Sequence, residues 1–226
     1  LLKQLEAEPR LAAFNLAGGT ALALYLGHRV SVDLDLFTPE SFDAGELEAF
    51  LSQRYGFQTA FRRPDTLKGM IDGVKIGIEI DCIAHKYAYL RQPYAESGIR
   101  LYSIEDIVAM KLSAIADDGS RLKDFVDIAC LSTRIPFYEM LKCYERKFPQ
   151  ANVIRPFKAL TYFDDIDFGE DIVMLNFEYD WKQIARRLKE MTVRQEHIFS
   201  QWPLKEQKRP VAEDKDMTSM KRGRKR

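Results

Sequence analysis

The sequence predicts an α+β fold, a small mixed β-sheet with flanking helices followed by a helical C-terminal domain. Three observations carry this. After a short apolar helix the period changes to strand alternation in "RVSVDLDLF", residues 29–37. Two further apolar runs flank Asp72-Gly73, a strong hairpin signal. Beyond about residue 101 the apolar spacing becomes helical throughout. The predicted division is residues 1–101 as a catalytic α+β domain, 102–200 as a helical domain and 201–226 as a basic, disordered tail.

The elements follow in order. A first helix ends before Pro9. A second is expected from Thr20, as its N-cap, to Leu26, with Gly27 just past its end. In the strand that follows, Val30, Val32, Leu34 and Leu36 form an apolar face, while Arg29, Ser31, Asp33 and Asp35 form a polar one. A helix spans about 43–54. On the second hairpin strand Val74, Ile76, Ile78 and Ile80 share one face and Glu79 and Asp81 the other. Ser103 is a predicted N-cap with Asp106 three residues on, opening a helix to about Asp117, and further helices are expected at 121–131, 137–147 and 181–191.

Composition narrows the function. Lys plus Arg equals Asp plus Glu at 34 each, so no global basic charge announces a nucleic-acid partner, and any such contact needs a local patch. Cys82, Cys130 and Cys143 form no C-x-x-C pair, which argues against a zinc site or a disulfide framework and for a reducing cytoplasm. No apolar run is long enough to span a bilayer.

The chemistry-bearing stretch is "LAGGTALALYLGHRVSVDLDLF", residues 16–37. Two same-face carboxylates on one strand repel each other unless a cation lies between them. Asp33 and Asp35 are therefore candidate ligands for Mg²⁺ or Mn²⁺, hard ions that take one or two carboxylates plus substrate phosphates. Upstream, Gly18 and Gly19 permit close backbone approach at a helix N-terminus, a ready anion site, and Thr20 can add a hydroxyl to the same phosphate. An anion site followed by a cation-binding pair is what a metal-bound nucleoside triphosphate requires. Two-metal phosphoryl transfer also uses a third carboxylate. Asp81 is the candidate, with Glu79 as the alternative.

Other residues are read beside these. Lys111 falls within the apolar stripe of Ile104, Ile107, Val108 and Ile115, so its ammonium either snorkels to the core edge or meets an anion, for which a triphosphate is suited. Arg29 can bind phosphate or pair with Asp33. Lys123 and Asp127, four apart, read as a helix-surface ion pair. His85 reads as a strand-end polar residue, and the acidic stretch 164–171 as a solvated turn, because it lacks the glycine and glutamate of a calcium loop.

The Gly-Gly-Thr, D-x-D and later acidic residue resemble the nucleotidyltransferase superfamily signature. More narrowly, "GGTALALYLGHRVSVDLDLF" is similar to the AbiEii/AbiGii toxin family, as are "AMKLSAI" with Lys111 and "LKDFVDI" with Lys123, Asp124 and Asp127. The resemblance implies a nucleotidyltransferase-type sheet holding Mg²⁺ and transfer of a nucleoside monophosphate from a nucleoside triphosphate to RNA, tRNA or protein. It also implies a cognate antitoxin or phage-defence partner, and it places Lys123 and Asp127 at the nucleotide cleft. The alternative from another class is a catalytically silent module of the same fold that binds nucleotide, RNA or a protein.

Overall fold

The computed structural model describes residues 1–72, 77–85 and 87–206. The first half contains α1 (Leu2–Glu6), β1 (Asn15–Leu16), α2 (Gly18–Leu26), β2 (Leu34–Thr38), α3 (Ala44–Tyr55), β3 (Gln58–Arg63), β4 (Thr66–Asp72), β5 (Gly77–Ala84), β6 (Tyr94–Glu96) and β7 (Ile99–Leu101). The seven strands form one mixed sheet in the order β3-β4-β5-β2-β1-β7-β6. β2 runs parallel to β5 and β1 parallel to β7, whereas the other neighbours are antiparallel. β4 and β5 pair as an antiparallel hairpin, as the sequence predicts, but Asp72 stands at the end of β4 opposite Gly77 rather than in the turn. The expected turn at Gly73 and the face positions Val74 and Ile76 lie outside the described residues.

The second half contains α4 (Ile104–Asp117), α5 (Leu122–Leu131), α6 (Phe137–Lys147), α7 (Ile154–Ala159), β8 (Phe177–Glu178), α8 (Trp181–Val193) and β9 (Lys205–Glu206). Ser103 caps α4 as expected, its hydroxyl accepting from the Asp106 N–H. One continuous set of buried apolar residues joins Leu16, Leu22 and Leu36 to Val108, Phe125 and Leu188, so the helices pack on the sheet through a shared core.

Three expectations are corrected. α2 begins at Gly18 rather than at a Thr20 cap. Ala17 is the extended N-cap and Gly18 has φ +62°, which lets the helix start three residues earlier. The strand begins at Leu34, not Arg29. Residues 28–30 pair instead with 173–175, through Val30 N–H to the Val173 carbonyl at 2.8 Å and Leu175 N–H to the His28 carbonyl at 2.9 Å. This exposes Val30 and Val32 and buries Arg29. Finally, residues 201–206 are not tail: Leu204 is buried and Lys205–Glu206 pairs with Phe177–Glu178. The basic stretch after 206 lies outside the described residues.

Candidate active site

The parallel pairing of β2 with β5 sets Asp35 directly opposite Asp81. Leu34, Leu36 and Thr38 turn into the core, so the alternate residues Asp35 and Phe37 face the other, half-exposed side. Asp33 lies just before the strand, exposed. The three aspartates line one cavity of about 350 Å³. Burial pushes the Asp35 carboxyl pKa up, and the neighbouring charge of Asp81 pushes it further, against the pull of Lys111 and Arg121. Ionising Asp35 thus costs more than ionising a free carboxyl, a cost that an approaching cation offsets.

The donor chemistry fits a hard dication bound partly by substrate. Among the described residues no three carboxylate, imidazole or thiol groups are grouped to hold a metal ion by themselves. The side chain of Glu79 lies outside the described residues. Asp81 instead receives the ammonium of Lys68, its cross-strand partner on β4.

Gly18 brings the chain against this carboxylate. A Cβ at Gly18 would stand 1.7 Å from Asp35 Oδ2, and one at Gly19 would stand 2.6 Å from Arg29 Nη2. The first N–H groups of α2 have no intrahelical carbonyl to bond, and both glycines line a cavity beside the aspartates. Thr20 is committed elsewhere: its hydroxyl donates to the Asp33 carbonyl and lies 3.0 Å from Ser31 Oγ. It ties the D-x-D segment to α2.

Behind the aspartates lies a buried ion network. Lys111 Nζ is 2.6 Å from Asp124 Oδ1 and 2.7 Å from Asp127 Oδ2. Arg29 grips Asp127 with two bonds, Nε at 2.7 Å and Nη2 at 2.9 Å, and His28 Nε2 lies 2.7 Å from the same carboxylate. Burial alone would raise the Asp127 pKa, but Lys111, Arg29 and His28 hold it well below the usual carboxylate range. Burial likewise opposes the Lys111 charge, yet Asp124 and Asp127 raise its pKa.

The network overturns two expectations. Asp127 makes no surface pair with Lys123, because α5 packs its Asp124 and Asp127 face inward while Lys123 reaches Glu170 at 2.9 Å. The acidic stretch is a largely exposed turn, as expected, and Glu170 ties it to α5. Arg29 pairs with Asp127, not Asp33. The anion that Lys111 meets is carried by the chain itself.

A second cavity, of about 610 Å³, adjoins the first. Gly19, Asp35, Lys111, Arg121 and Asp124 line both. The larger one continues past Phe37 and His85 to Tyr144 and Phe148.

A family model described as nucleotidyl transferase AbiEii toxin, type IV toxin–antitoxin system, matches residues 1–201. The chain belongs to the AbiEii nucleotidyltransferase toxin family. A relative from Aquifex aeolicus, uncharacterized protein aq_aa25, is 32% identical over 182 residues, covering 78% of this chain and 84% of its own. The structure is similar to MenT4, a nucleotidyltransferase toxin of Mycobacterium tuberculosis, with a TM-score of 0.54 at 12% identity over 84% of this chain and 82% of that one. It is also similar to JHP933 of Helicobacter pylori, with a TM-score of 0.51 at 20% identity over 85% of each chain. At such identities the likeness establishes the shared fold.

As an AbiEii-family nucleotidyltransferase, the chain carries two cations in its cleft that the sequence reading missed. Lys68 becomes visible only when the β4–β5 register is known. Arg121, immediately before α5, lines both cavities, and Asp124 and then Asp35 raise its pKa against the cost of burial. Its one sequence signal is its place two residues before the Lys123-Asp124 pair.

Proposed function

We propose that this toxin moves a nucleoside monophosphate from a nucleoside triphosphate to an acceptor hydroxyl on RNA, with Mg²⁺ or Mn²⁺ as cofactor. The observation that carries the reading is the in-register pair Asp35 and Asp81, with Asp35 pressed against Gly18 at the start of α2. Asp33 and Asp35 would hold the ion, with Asp81 contributing from the neighbouring strand. Bound there, the ion would neutralise their repulsion and stabilise charge developing on the phosphates.

The remaining steps belong to the chain. The N–H groups at Gly18 and Gly19 receive phosphate oxygens. Arg121 offsets charge on the leaving pyrophosphate, since such contacts act in the transition state. Asp81, held by Lys68, accepts the proton of the attacking hydroxyl. The acceptor's hydroxyl oxygen bonds the α-phosphorus as the bond to pyrophosphate breaks. Lys111 acts at one remove by fixing Asp124 and thereby the start of α5 that carries Arg121. Family membership implies a cognate antitoxin, and among the described residues no helix is long and apolar enough to cross a membrane.

The test is incubation with each nucleoside triphosphate, labelled at the α-phosphate, together with total RNA or total protein. Label should enter RNA with wild type and not with Asp35→Asn. Label entering only protein would overturn the RNA acceptor, and no transfer from any triphosphate would overturn the catalytic assignment.

A further inference from the structure

We infer that the aromatic end of the larger cavity holds the nucleobase of the incoming triphosphate, stacked on the Phe37 and His85 rings. The inference rests on the proposed phosphate site at Gly18, Gly19 and Asp35, because the same cavity runs from those residues to the aromatic ones. Phe37 follows Asp35 by two residues on one strand face, so its ring stands one step, about 6.5 to 7 Å, along the carboxylate face.

His85 extends the wall. Its N–H bonds the Thr38 carbonyl at 2.7 Å just past β5, and its ring lies nearly parallel to Phe37, with planes 11° apart and centroids 5.9 Å apart. Phe148 closes the edge at 6.3 Å from the imidazole. A flat aromatic wall continuous with a cationic, glycine-lined end matches the two halves of a nucleotide: planar base and anionic phosphates.

Burial, then the nearby Lys147 ammonium, lowers the His85 pKa to about 4, so at neutral pH the ring is uncharged and stacks without carrying a cation into the cavity. Lys147 itself is occupied by Asp106 at 2.7 Å and the Ala88 carbonyl at 3.2 Å.

An acceptor RNA end could present the same planar chemistry, so the experiment separates the two sources. Calorimetric binding of inorganic tripolyphosphate and of each of the four nucleoside triphosphates, with Mn²⁺ and no RNA, is compared in wild type, Phe37→Ala, His85→Ala and His85→Phe. At least one nucleoside triphosphate should bind about tenfold tighter than tripolyphosphate, the order that base stacking supplies. Phe37→Ala and His85→Ala should each remove most of that margin and leave tripolyphosphate affinity unchanged. His85→Phe, which keeps a ring and loses only the nitrogens, should retain most of it, and Phe37→Ala covers the case in which His85→Ala does not fold. An undiminished margin in the folded alanine variants, or a margin lost equally in His85→Phe, overturns the inference. A parallel filter-binding assay of labelled RNA with the same variants separates the acceptor: a loss there with an undiminished nucleoside margin overturns the inference and assigns the wall to the acceptor. Tripolyphosphate binding with no nucleoside margin in wild type defeats the base site alone, whereas binding of neither ligand defeats the phosphate site on which it rests.

Discussion

Asp35 and Asp81 occupy register-matched positions on adjacent parallel strands, so their carboxylates share one face of the sheet with Gly18 packed against the first. Evolutionary retention of such a pair is not needed to see its cost: burial and mutual repulsion both favour the protonated form of Asp35. A fold that keeps two neighbouring acids half-buried is stabilised when a cation joins them.

The first prediction follows from that sign. A carboxyl whose folded pKa is raised binds its proton more tightly folded than unfolded, so the fold is favoured when Asp35 is protonated and is penalised above its folded pKa. Asp35→Asn should therefore melt higher than wild type at pH 7, and the difference should shrink as pH falls toward the ordinary carboxylate range. The same variant should lose the stabilisation that Mn²⁺ plus nucleoside triphosphate gives wild type. Melting curves at several pH values, with and without ligand, check both. A lower melting point at pH 7 would contradict the electrostatic account.

Lys68 offers a second. Its ammonium is the resident counter-charge of Asp81, on a side chain that is 43% exposed. A partly exposed pair is worth roughly 0.2 to 1 kcal/mol, so freeing Asp81 in Lys68→Met should tighten Mn²⁺ binding by up to about fivefold. Turnover at saturating metal should fall, because Asp81 loses its positioning contact. A metal titration in the presence of nucleoside triphosphate reads the midpoint, and an unchanged midpoint would remove Lys68 from the site.

Much of this arrangement was readable from residues alone, for reasons that also explain what was not. Local chemistry marks α3, α4, α5 and α6: Asp43 and Ser103 accept from N–H groups of their helices, and the apolar spacing is regular. Pairing across long separations leaves no local mark. Val30 and Val32 alternate like a strand, but residues 28–30 find their partner at 173–175, and β7 is only three residues long. Lys111 was recognisable as a cation needing an anion. That Asp124 and Asp127 supply it depends on how α4 meets α5, a tertiary relation no period reveals.

That network yields the third prediction. Removing one partner from a buried ion group strands the other charge, at a cost of about 3 to 5 kcal/mol. Lys111→Met and Asp127→Asn should each destabilise by that order in chemical denaturation. Lys123→Met, which breaks only the half-buried pair with Glu170, should cost less than about 1 kcal/mol. Equal losses for Lys111→Met and Lys123→Met would mean that the buried pairs do not hold α4 to α5.

The last prediction concerns Gly18, where two independent penalties meet. Its φ of +62° lies in the left-handed region, which costs an ordinary L-residue roughly 1 to 2 kcal/mol. A methyl there would also fall 1.7 Å from Asp35 Oδ2, so the carboxylate must leave its place beneath the helix start. Gly18→Ala should therefore destabilise by more than the backbone cost alone and should abolish ligand-induced stabilisation. In Gly18→Ala combined with Asp35→Ala the carboxylate clash is removed, leaving the backbone cost and a close approach of 3.0 Å to the Asp35 Cβ. The two changes should then be non-additive, with the double variant more stable than the sum of the singles predicts. A double-mutant cycle by urea denaturation measures the coupling. Strict additivity would show that Asp35 does not rest against Gly18 in solution, and the contact between the glycine turn and this carboxylate would have to be redrawn.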